Sequence, residues 1–231
     1  MKSRNTLGLL LLIALIVALI WYVNSTKKIS PLREVAVAPE TIGGVGVEGS
    51  GGDGMLNREK NRFTAPLDVE DQTIAQIEAI PSTLLSESGR RKRSNWPAAS
   101  EDYVEQEERR GVRVVGYLIH AKESGAESCN GYSDVLHDFH VWISDSPTSD
   151  KSNGMIVEIT PRWKSVHADW QLRTLEKLSN EHAQLRITGW LMWDEEHPDE
   201  VGKSRATQWE VHPVTNLEVR SGGAWVALHA E

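Results

Sequence analysis

The stretch DFHVWIS, residues 138–144, decides the fold because its side chains alternate strictly along the chain. Every second residue, Phe139, Val141 and Ile143, is apolar, so these three share one side of an extended backbone. A period of two residues is typical of a strand that buries one face. The pattern predicts a strand whose apolar set enters a core and whose other set faces outward.

Four further runs rich in β-branched and aromatic residues flank this strand, one before it and three after it. They cover residues 112–121 (VRVVGYLIHA), 155–160 (MIVEIT), 183–193 and 207–219, the last with a break at Pro213. Between the third and fourth runs, residues 170–178 place leucines at three-residue steps, which is typical of a helix with one apolar stripe. The order strand, strand, strand, helix, strand, strand predicts an all-β domain with one helix, closed as a five-stranded OB-like barrel.

An uncharged run of 17 residues, LGLLLLIALIVALIWYV, occupies positions 7–23. As a helix it would be about 25 Å long, just enough to span a bilayer. Basic residues flank it, and Trp21 and Tyr22 stand where an interfacial belt would lie. Residues 1–27 are therefore predicted to be a single-pass signal anchor in a bacterial inner membrane, with the domain exported to the periplasm because the N-terminal tail is short. A cleaved signal peptide and a buried helix stay open as alternatives.

Residues 28–100 are predicted to be a flexible, glycine-rich and charged linker that precedes the barrel domain at 101–231. Within it, residues 43–54 (GGVGVEGSGGDG) contain seven glycines and few large side chains. Ordering such a segment would cost more conformational entropy than its burial returns. The composition predicts a tether between anchor and barrel.

Two features of the linker carry their own predictions. Ile74, Ile77 and Ile80 repeat at three-residue steps, which predicts a short helix over residues 69–80. A basic cluster, Arg-Arg-Lys-Arg, follows at residues 90–93. We interpret it as a solvated charge run, with contact to phosphate or anionic lipid as the alternative.

Composition limits the function. The chain has a formal net charge of −8, and residues 112–231 hold 11 Lys and Arg against 18 Asp and Glu. This balance disfavours strong non-specific binding to nucleic acid. The single cysteine, Cys129, stands among acidic residues that should raise the pKa of its thiol, which argues against a catalytic thiolate. No nucleotide-binding loop, hydrolase elbow or metalloprotease helix occurs, so no cofactor is predicted.

A polar constellation emerges when the outer faces of neighbouring strands are overlaid. In an OB barrel the third strand lies beside the second and the fifth, which would bring His140, Glu158, Glu210 and His212 together. Two imidazoles and a carboxylate are ligands for a divalent ion, so His140, Glu158 and His212 are a candidate metal site. The alternative is a polar barrel exterior in which these groups hydrogen-bond one another.

Aromatic residues suggest a second kind of site on the same surface. Trp142 and Trp190 fall on the polar faces of their strands, where an exposed indole would stack on a base, a sugar or another aromatic ligand. Arg162 would supply charge beside them. The alternative is that the indoles pack against the helix or the N-terminal extension.

Several short motifs occur together in a fixed order over residues 112–219. They are ESCN (127–130), DFHVW (138–142), VEITPR (157–162), GWLM (189–192) and WEVHPVT (209–215). Together they resemble a group of uncharacterised bacterial membrane-anchored proteins with an OB-fold-like domain. The resemblance implies the fold and brings no established activity. At the level of the fold, the domain is also similar to OB-fold nucleic-acid binders and thermonuclease-like barrels, without the calcium-binding and arginine pattern of the latter.

Two functions from different classes follow. The first is a membrane-tethered binding module that holds a protein, nucleic-acid or small aromatic ligand on the outer face of strands two and three. The second is a metal-assisted hydrolase or nuclease that uses His140, Glu158 and His212. We favour the binding module, because it needs only a barrel, a tether and an aromatic, polar face. An enzyme would need a coordination geometry that sequence alone does not display.

Overall fold

The computed structural model of the protein describes residues 41–88 and 93–229. The anchor predicted over residues 1–27 lies outside this range. Among the described helices, none combines the length and the apolar character needed to cross a bilayer.

A closed barrel of five strands forms the centre of the fold. The strands of the whole sheet are β1 Val69–Gln72, β2 Gly111–Glu123, β3 Phe139–Ser144, β4 Met155–Ile159, β5 Gln184–Trp193, β6 Trp209–Ser221 and β7 Ala224–Ala227. Hydrogen bonding runs in the order β2, β3, β4, β6, β5, and β5 pairs again with β2 to close the ring. The β4–β6 pair is parallel, and the other barrel pairs are antiparallel. This is the strand order of an OB barrel, as predicted.

More helix surrounds the barrel than the sequence indicated. The helices are α1 Gly54–Lys60, α2 Ile74–Glu78, α3 Thr83–Ser88, α4 Ala98–Glu108, α5 Pro161–Val166 and α6 Leu172–Asn180, with short 3₁₀ turns at Arg93–Asn95, Lys151–Asn153 and Pro198–Glu200. The predicted helix between the third and fourth barrel strands is α6, and its Leu175 is fully buried in the core. The fold class predicted one helix, α6, within the order of barrel strands, and α5 was missed there because a short helix with few apolar residues leaves little periodic signal.

The barrel interior follows the alternation of β3. Phe139, Val141 and Ile143 are buried in the main core together with Val157 and Ile159 of β4. The other face of β3 lies outside the barrel wall, as predicted. That outer face is nevertheless covered by loops, so it is not an open surface.

Pro213 does not break the last barrel strand, which is continuous from Trp209 to Ser221. The partner strand adapts instead, since the β5–β6 register shifts on both sides of Gly189. A Cβ atom at Gly189 would lie 2.4 Å from the carbonyl oxygen of Pro213. Glycine is therefore required here for the close approach of two backbones.

Residues 69–80 are a strand followed by a helix, not one helix. Residues 69–72 pair with β2 in parallel, and Thr73 caps the short helix α2 through a reciprocal capping box with Gln76. The predicted apolar face is real, because Ile74, Ile77 and Ile80 are all buried. The threonine cap and the sheet pairing limit the helix to its second half.

The glycine-rich segment 43–54 packs on the barrel, which differs from the flexible linker expected from composition. The backbone N–H of Ser50 donates to the carbonyl of Ser128 at 2.8 Å, and Arg162 donates to the carbonyl of Val45 at 3.0 Å. Gly49 has a φ of +63°, and a Cβ there would lie 2.0 Å from the Ser128 oxygen. The glycines thus permit a close approach to polar groups of the barrel, which an entropy argument from composition overlooks.

The last residue of the basic cluster is not a solvated charge. Arg93 is buried, and its guanidinium donates to both carboxylate oxygens of Glu108, at 2.5 and 2.7 Å. It also donates to Glu195 at 3.2 Å. Arg93 therefore joins α4 to the end of β5 through a buried ion cluster.

Candidate functional site

A cavity of about 470 Å³ opens on the outer face of β3 and β4. Its walls come from residues 124–138, which connect β2 to β3, and residues 194–208, which connect β5 to β6. His140, Trp142 and Glu158 line it from the strands. In OB barrels the middle strands and these two loops form the usual ligand-binding face, so the cavity is the candidate site.

The four polar residues that the sequence brought together do meet beside this cavity. His140 and Glu158 are cross-strand partners, with Nε2 of the imidazole 3.2 Å from Oε1 of the carboxylate. The other oxygen, Oε2, lies 2.9 Å from Nδ1 of His212, and that nitrogen lies 3.1 Å from Oε1 of Glu210. Glu158 therefore lies between two imidazoles, and His140 and His212 face opposite oxygens of one carboxylate.

Both histidines are held as cations by their acidic neighbours. Burial alone would lower the pKa of His212, but the charges and hydrogen bonds of Glu158 and Glu210 outweigh it and raise the pKa to about 10. His140 behaves similarly, since Glu158 and Glu127 overcome its burial and raise its pKa to about 9. An imidazolium on each side of Glu158 is the stable arrangement at neutral pH.

The carboxylates of the cluster differ in their pKa values. Burial would raise the pKa of Glu158, but His140 and His212 hold it well below its ordinary value. Burial and the charge of Glu158 raise the pKa of Glu210 to about 7. Burial and the charge of Glu127 raise the pKa of Asp138 to about 6. Glu158 is therefore firmly ionised, Asp138 is mostly ionised at neutral pH, and Glu210 titrates there.

Asp138 belongs to the cluster although the sequence did not assign it there. It is fully buried, its Oδ1 accepts a hydrogen bond from Asn130 at 3.0 Å, and its Oδ2 lies 3.9 Å from Nε2 of His212. The signal was present, because Asp138 precedes His140 by two residues and so shares its face.

A second ion cluster adjoins the first through Glu210. Arg205 is buried and donates to Asp194 at 2.6 Å, and its Nη1 lies 3.6 Å from Oε2 of Glu210. Asp194 also accepts from His197 at 2.8 Å. Burial would raise the pKa of Asp194, but His197 and Arg205 lower it. This cluster fixes the loop at residues 194–208 against the cavity.

Lys60 is a site residue that sequence reasoning missed entirely. It comes from α1, inside the expected linker, yet it lines the cavity and is only 9% exposed. Its ammonium lies 3.7 Å from Glu127 and 3.3 Å from Glu196. Burial would lower the pKa of Lys60, but the surrounding carboxylates raise it. No local pattern marks such a residue, because its role depends on the docking of a distant segment.

Trp142 lines the cavity but is not an open stacking platform. It is 2% exposed, packs with Ile119 and Ile156, and donates its indole N–H to the carbonyl of Ser204 at 2.7 Å. The ammonium groups of Lys122 and Lys151 lie 5.5 and 5.1 Å from its ring centroid. The indole of Trp142 is therefore packed inside the protein, as the alternative prediction stated. A loop covers it, and not the predicted helix.

Trp190 and Arg162 do not line the cavity. The indole N–H of Trp190 donates to the carbonyl of Thr64 at 2.7 Å, and Arg62 lies over its ring. Arg162 is buried, where it donates to Asn61 at 3.3 Å and to Val45. Both side chains hold the N-terminal extension on the barrel, which is the packed alternative for Trp190.

Cys129 is buried in the same loop that forms one wall of the cavity. Burial and the charge of Asp138 raise the pKa of its thiol, in the direction that the sequence predicted. The thiol therefore stays protonated and is not a nucleophile at neutral pH.

The strand order and the position of the cavity define the class of protein as an OB-type barrel with a polar pocket on its customary binding face. No protein-family model and no curated protein matches the chain. Among solved structures it is similar to a chain of the crystal structure of yeast Stn1 and Ten1, at 13% sequence identity and a TM-score of 0.36. The alignment covers 68% of this chain and 65% of that chain, just under two thirds of its length. Because that TM-score is low, the assignment to the OB class rests on the strand order and the position of the cavity, and not on this likeness.

Proposed function

We propose that the barrel is a binding module that holds a small anionic ligand in the cavity between residues 124–138 and 194–208. The observation that carries this proposal is the cavity itself, which lies where OB barrels bind and measures about 470 Å³. That volume suits a ligand of the size of a mononucleotide or a sugar phosphate.

The charges of the lining indicate the ligand chemistry. Lys122 and Lys151 both line the cavity beside Trp142. Within the described part of the chain, neither ammonium has a carboxylate within the 4.0 Å of an ion pair. Two such cations at one edge favour a phosphate or carboxylate group there. Glu127 and Glu196 on the same lining offer acceptors to hydroxyl or amino groups of the ligand.

A small ligand is favoured over an extended strand of nucleic acid. Stacking on successive bases needs exposed aromatic faces, and Trp142 and Trp190 are both engaged by the protein itself. The net charge of −8 also disfavours a strand of nucleic acid, because it repels the phosphate backbone. Metal-assisted hydrolysis by His140, Glu158 and His212 is less favoured, because the two imidazoles face opposite oxygens of Glu158.

The proposal includes a tether to the membrane. Residues 7–23 are uncharged and long enough to span a bilayer, and basic and aromatic residues flank them. This segment lies outside the described residues, so the sequence pattern alone supports the anchor and the bacterial periplasmic location that follows from it.

A titration of the full-length protein in detergent tests the proposal. The probes are ribose 5-phosphate, adenosine monophosphate and a hexameric deoxyoligonucleotide, and the signal is the heat of binding in isothermal titration calorimetry. We expect one of the two small phosphates to saturate the signal, and the double variant Lys122→Ala and Lys151→Ala to bind it at least about tenfold more weakly. Lys203→Ala is the matched control, because Lys203 is exposed on the same loop system and does not line the cavity. Saturation by the oligonucleotide alone, or by none of the probes, would refute the proposal.

A further inference from the structure

Two buried side chains behind the cavity each present one polar atom with no hydrogen bond. These atoms are Oδ2 of Asp138 and Nε2 of His212, and Glu158 adjoins them, with its Oε2 2.9 Å from Nδ1 of the same imidazole. Asp138 and His212 are each 0% exposed and Glu158 is 4% exposed, so water does not reach them from the surface. Leaving such groups unpaired in a protein interior is costly, which calls for an explanation.

The three residues also converge. One ligand atom from each lies within 4.8 Å of the corresponding atoms of the other two. Two ligands of one tetrahedral ion at about 2.0–2.2 Å are about 3.3–3.6 Å apart, so shifts of up to about 1 Å bring the three atoms to coordinating distance. We infer that Asp138, Glu158 and His212 form a binding site for a divalent transition-metal ion such as Zn²⁺.

In Asp138 and His212, a neighbouring side chain contacts the second polar atom, the one that is not offered to the ion. Asn130 donates to Oδ1 of Asp138 at 3.0 Å, which turns Oδ2 toward His212. Glu210 lies 3.1 Å from Nδ1 of His212, which leaves Nε2 for the ion. A carboxylate that orients the far nitrogen of a ligating histidine is a recurrent support in metal sites.

Glu158 contacts both imidazoles. Its Oε1 lies 3.2 Å from Nε2 of His140, and its Oε2 lies 2.9 Å from Nδ1 of His212, which also lies 3.1 Å from Oε1 of Glu210. The single proton on Nδ1 of His212 can be donated to Glu158 or to Glu210. The carboxylate that does not accept it is left with an unbalanced negative charge.

The donor set matches the charge and softness of the proposed ion. Two carboxylates and one neutral imidazole carry a charge of −2, which a divalent ion balances without a further counter-ion. A mixed set of imidazole and carboxylate ligands suits Zn²⁺, whereas Mg²⁺ prefers oxygen ligands and retains its water. The ion would replace the proton on Nε2 of His212. Because Glu158 also lines the cavity, the ion would lie next to the ligand of the proposed function, without depending on it.

A second group of potential ligands shares Asp138. Glu127, Cys129 and Asp138 also offer atoms within 4.8 Å of one another. A thiolate ligand would make that group distinguishable, because sulfur bound to Co²⁺ absorbs in the near ultraviolet by charge transfer. An ion at Asp138, Glu158 and His212 has only nitrogen and oxygen ligands and lacks that band.

The wild-type protein alone tests the inference. The full-length chain is stripped with a chelator, loaded with Zn²⁺ or Mg²⁺ in separate samples, desalted and analysed for bound metal by mass spectrometry. We expect about one Zn²⁺ per chain, no retained Mg²⁺, and a Co²⁺ spectrum without a sulfur charge-transfer band. A protein that retains no Zn²⁺, or a Co²⁺ derivative with that band, would overturn the assignment.

Variants locate the ion. Asp138→Asn and Glu158→Gln keep the shape of the side chains and remove their charge, so each should weaken Zn²⁺ affinity at least about tenfold in competition with a chromophoric chelator. Glu127→Gln and Cys129→Ala are the matched controls from the neighbouring group and should bind Zn²⁺ as tightly as wild type. Equal affinity in wild type and Asp138→Asn, or loss in Cys129→Ala, would overturn the inference. Circular dichroism identifies any variant that fails to fold, in which case the wild-type measurements decide.

Discussion

Val141 and Trp142 are neighbours that point to opposite sides of the barrel wall, and both are buried. Val141→Asp places an unpaired charge in the core, so we expect the free energy of unfolding to fall by several kcal/mol. Trp142→Ala removes the packing on Ile119 and Ile156 and should cost about 3–5 kcal/mol. Urea denaturation measures both.

The control for this pair is Val115→Ala, since Val115 is a β2 residue that is 40% exposed. We expect its cost to stay below about 1 kcal/mol. A tolerated Trp142→Ala would contradict the burial of this indole and would revive the stacking interpretation.

His140 makes the stability of the fold depend on pH. Its folded pKa is raised to about 9, above the ordinary value of 6.5. A raised histidine pKa stabilises the fold fully below pH 6.5, and the contribution is lost as the pH rises through about 9. With metal removed by a chelator, wild type should therefore lose stability between pH 6 and 9.5, on the order of a few kcal/mol.

Thermal unfolding of wild type and His140→Gln at several pH values checks this prediction. The variant should lose less stability over the same range, because its neutral amide does not titrate. Parallel pH profiles of the two proteins would show that the imidazole of His140 is not held as a cation.

At the residue scale, the sequence predicted which face a side chain occupies better than how exposed it is. Alternation placed His140 and Glu158 on one surface, and the strand order of an OB barrel added Glu210 and His212. Exposure depends on what covers that surface. The cover comes from Lys60 of α1 and from Ser204 of the loop at residues 194–208, and neither segment carries a periodic signal.

Strands and helices were predicted well where apolar side chains recur at a regular spacing. The predicted barrel strands agree with the observed ones to within about two residues, because β-branched residues at alternate positions mark a half-buried strand. The strand β1 was missed because its four residues, VEDQ, have no apolar alternation. Its pairing with β2 is made by the backbone and leaves no trace in side-chain type.

The docking of residues 43–54 includes a very close approach at Gly49, which a substitution can test. Gly49→Ala would bring a Cβ to 2.0 Å from the Ser128 oxygen, so the segment should detach and become sensitive to protease. Gly44→Ala is the matched control, since Gly44 also has a positive φ, +83°, but a Cβ there meets nothing within 4 Å. Equal protease resistance of the two variants would contradict the docked arrangement.

The buried ion cluster at Arg93 ties the first 3₁₀ turn to α4 and β5. Arg93→Ala would leave Glu108 and Glu195 buried without their cation, at a cost of about 3–5 kcal/mol in the free energy of unfolding. Arg113→Ala removes an exposed pair with Asp71 and should change stability by less than about 1 kcal/mol. Chemical denaturation compares the two, and similar costs would show that Arg93 is solvated.

At the scale of the whole molecule, the membrane anchor is a prediction that rests on the sequence. Because residues 7–23 are uncharged and flanked by basic residues, we predict that the full-length chain stays with membranes during an alkaline carbonate wash. A chain that begins at residue 38 should appear in the supernatant. Release of the full-length chain by carbonate would contradict the anchor.

At the scale of the whole molecule, the barrel could be predicted from the sequence. The docking of the N-terminal extension, which adds α1 to the site, could not. The site needs Lys60 from α1, a neighbour in space of Glu196 although the two are 136 positions apart in sequence. No local pattern predicts such a pairing, because it results from the docking of one surface on another.

The packing of residues 41–62 on the barrel has a consequence for the order of events during synthesis. The hydrogen bond between Asn61 and Arg162 joins residues 101 positions apart. Lys60 and Glu196 are 136 positions apart, so Glu196 is synthesised later still. At a ribosomal rate of about 5–20 residues per second, α1 emerges roughly 5–30 s before its partners exist. During that interval the glycine-rich segment lacks its partners on the barrel, and its later attachment closes a long loop. The cavity is complete only once residues 194–208 have been synthesised, so a chain interrupted before them lacks one wall of the cavity.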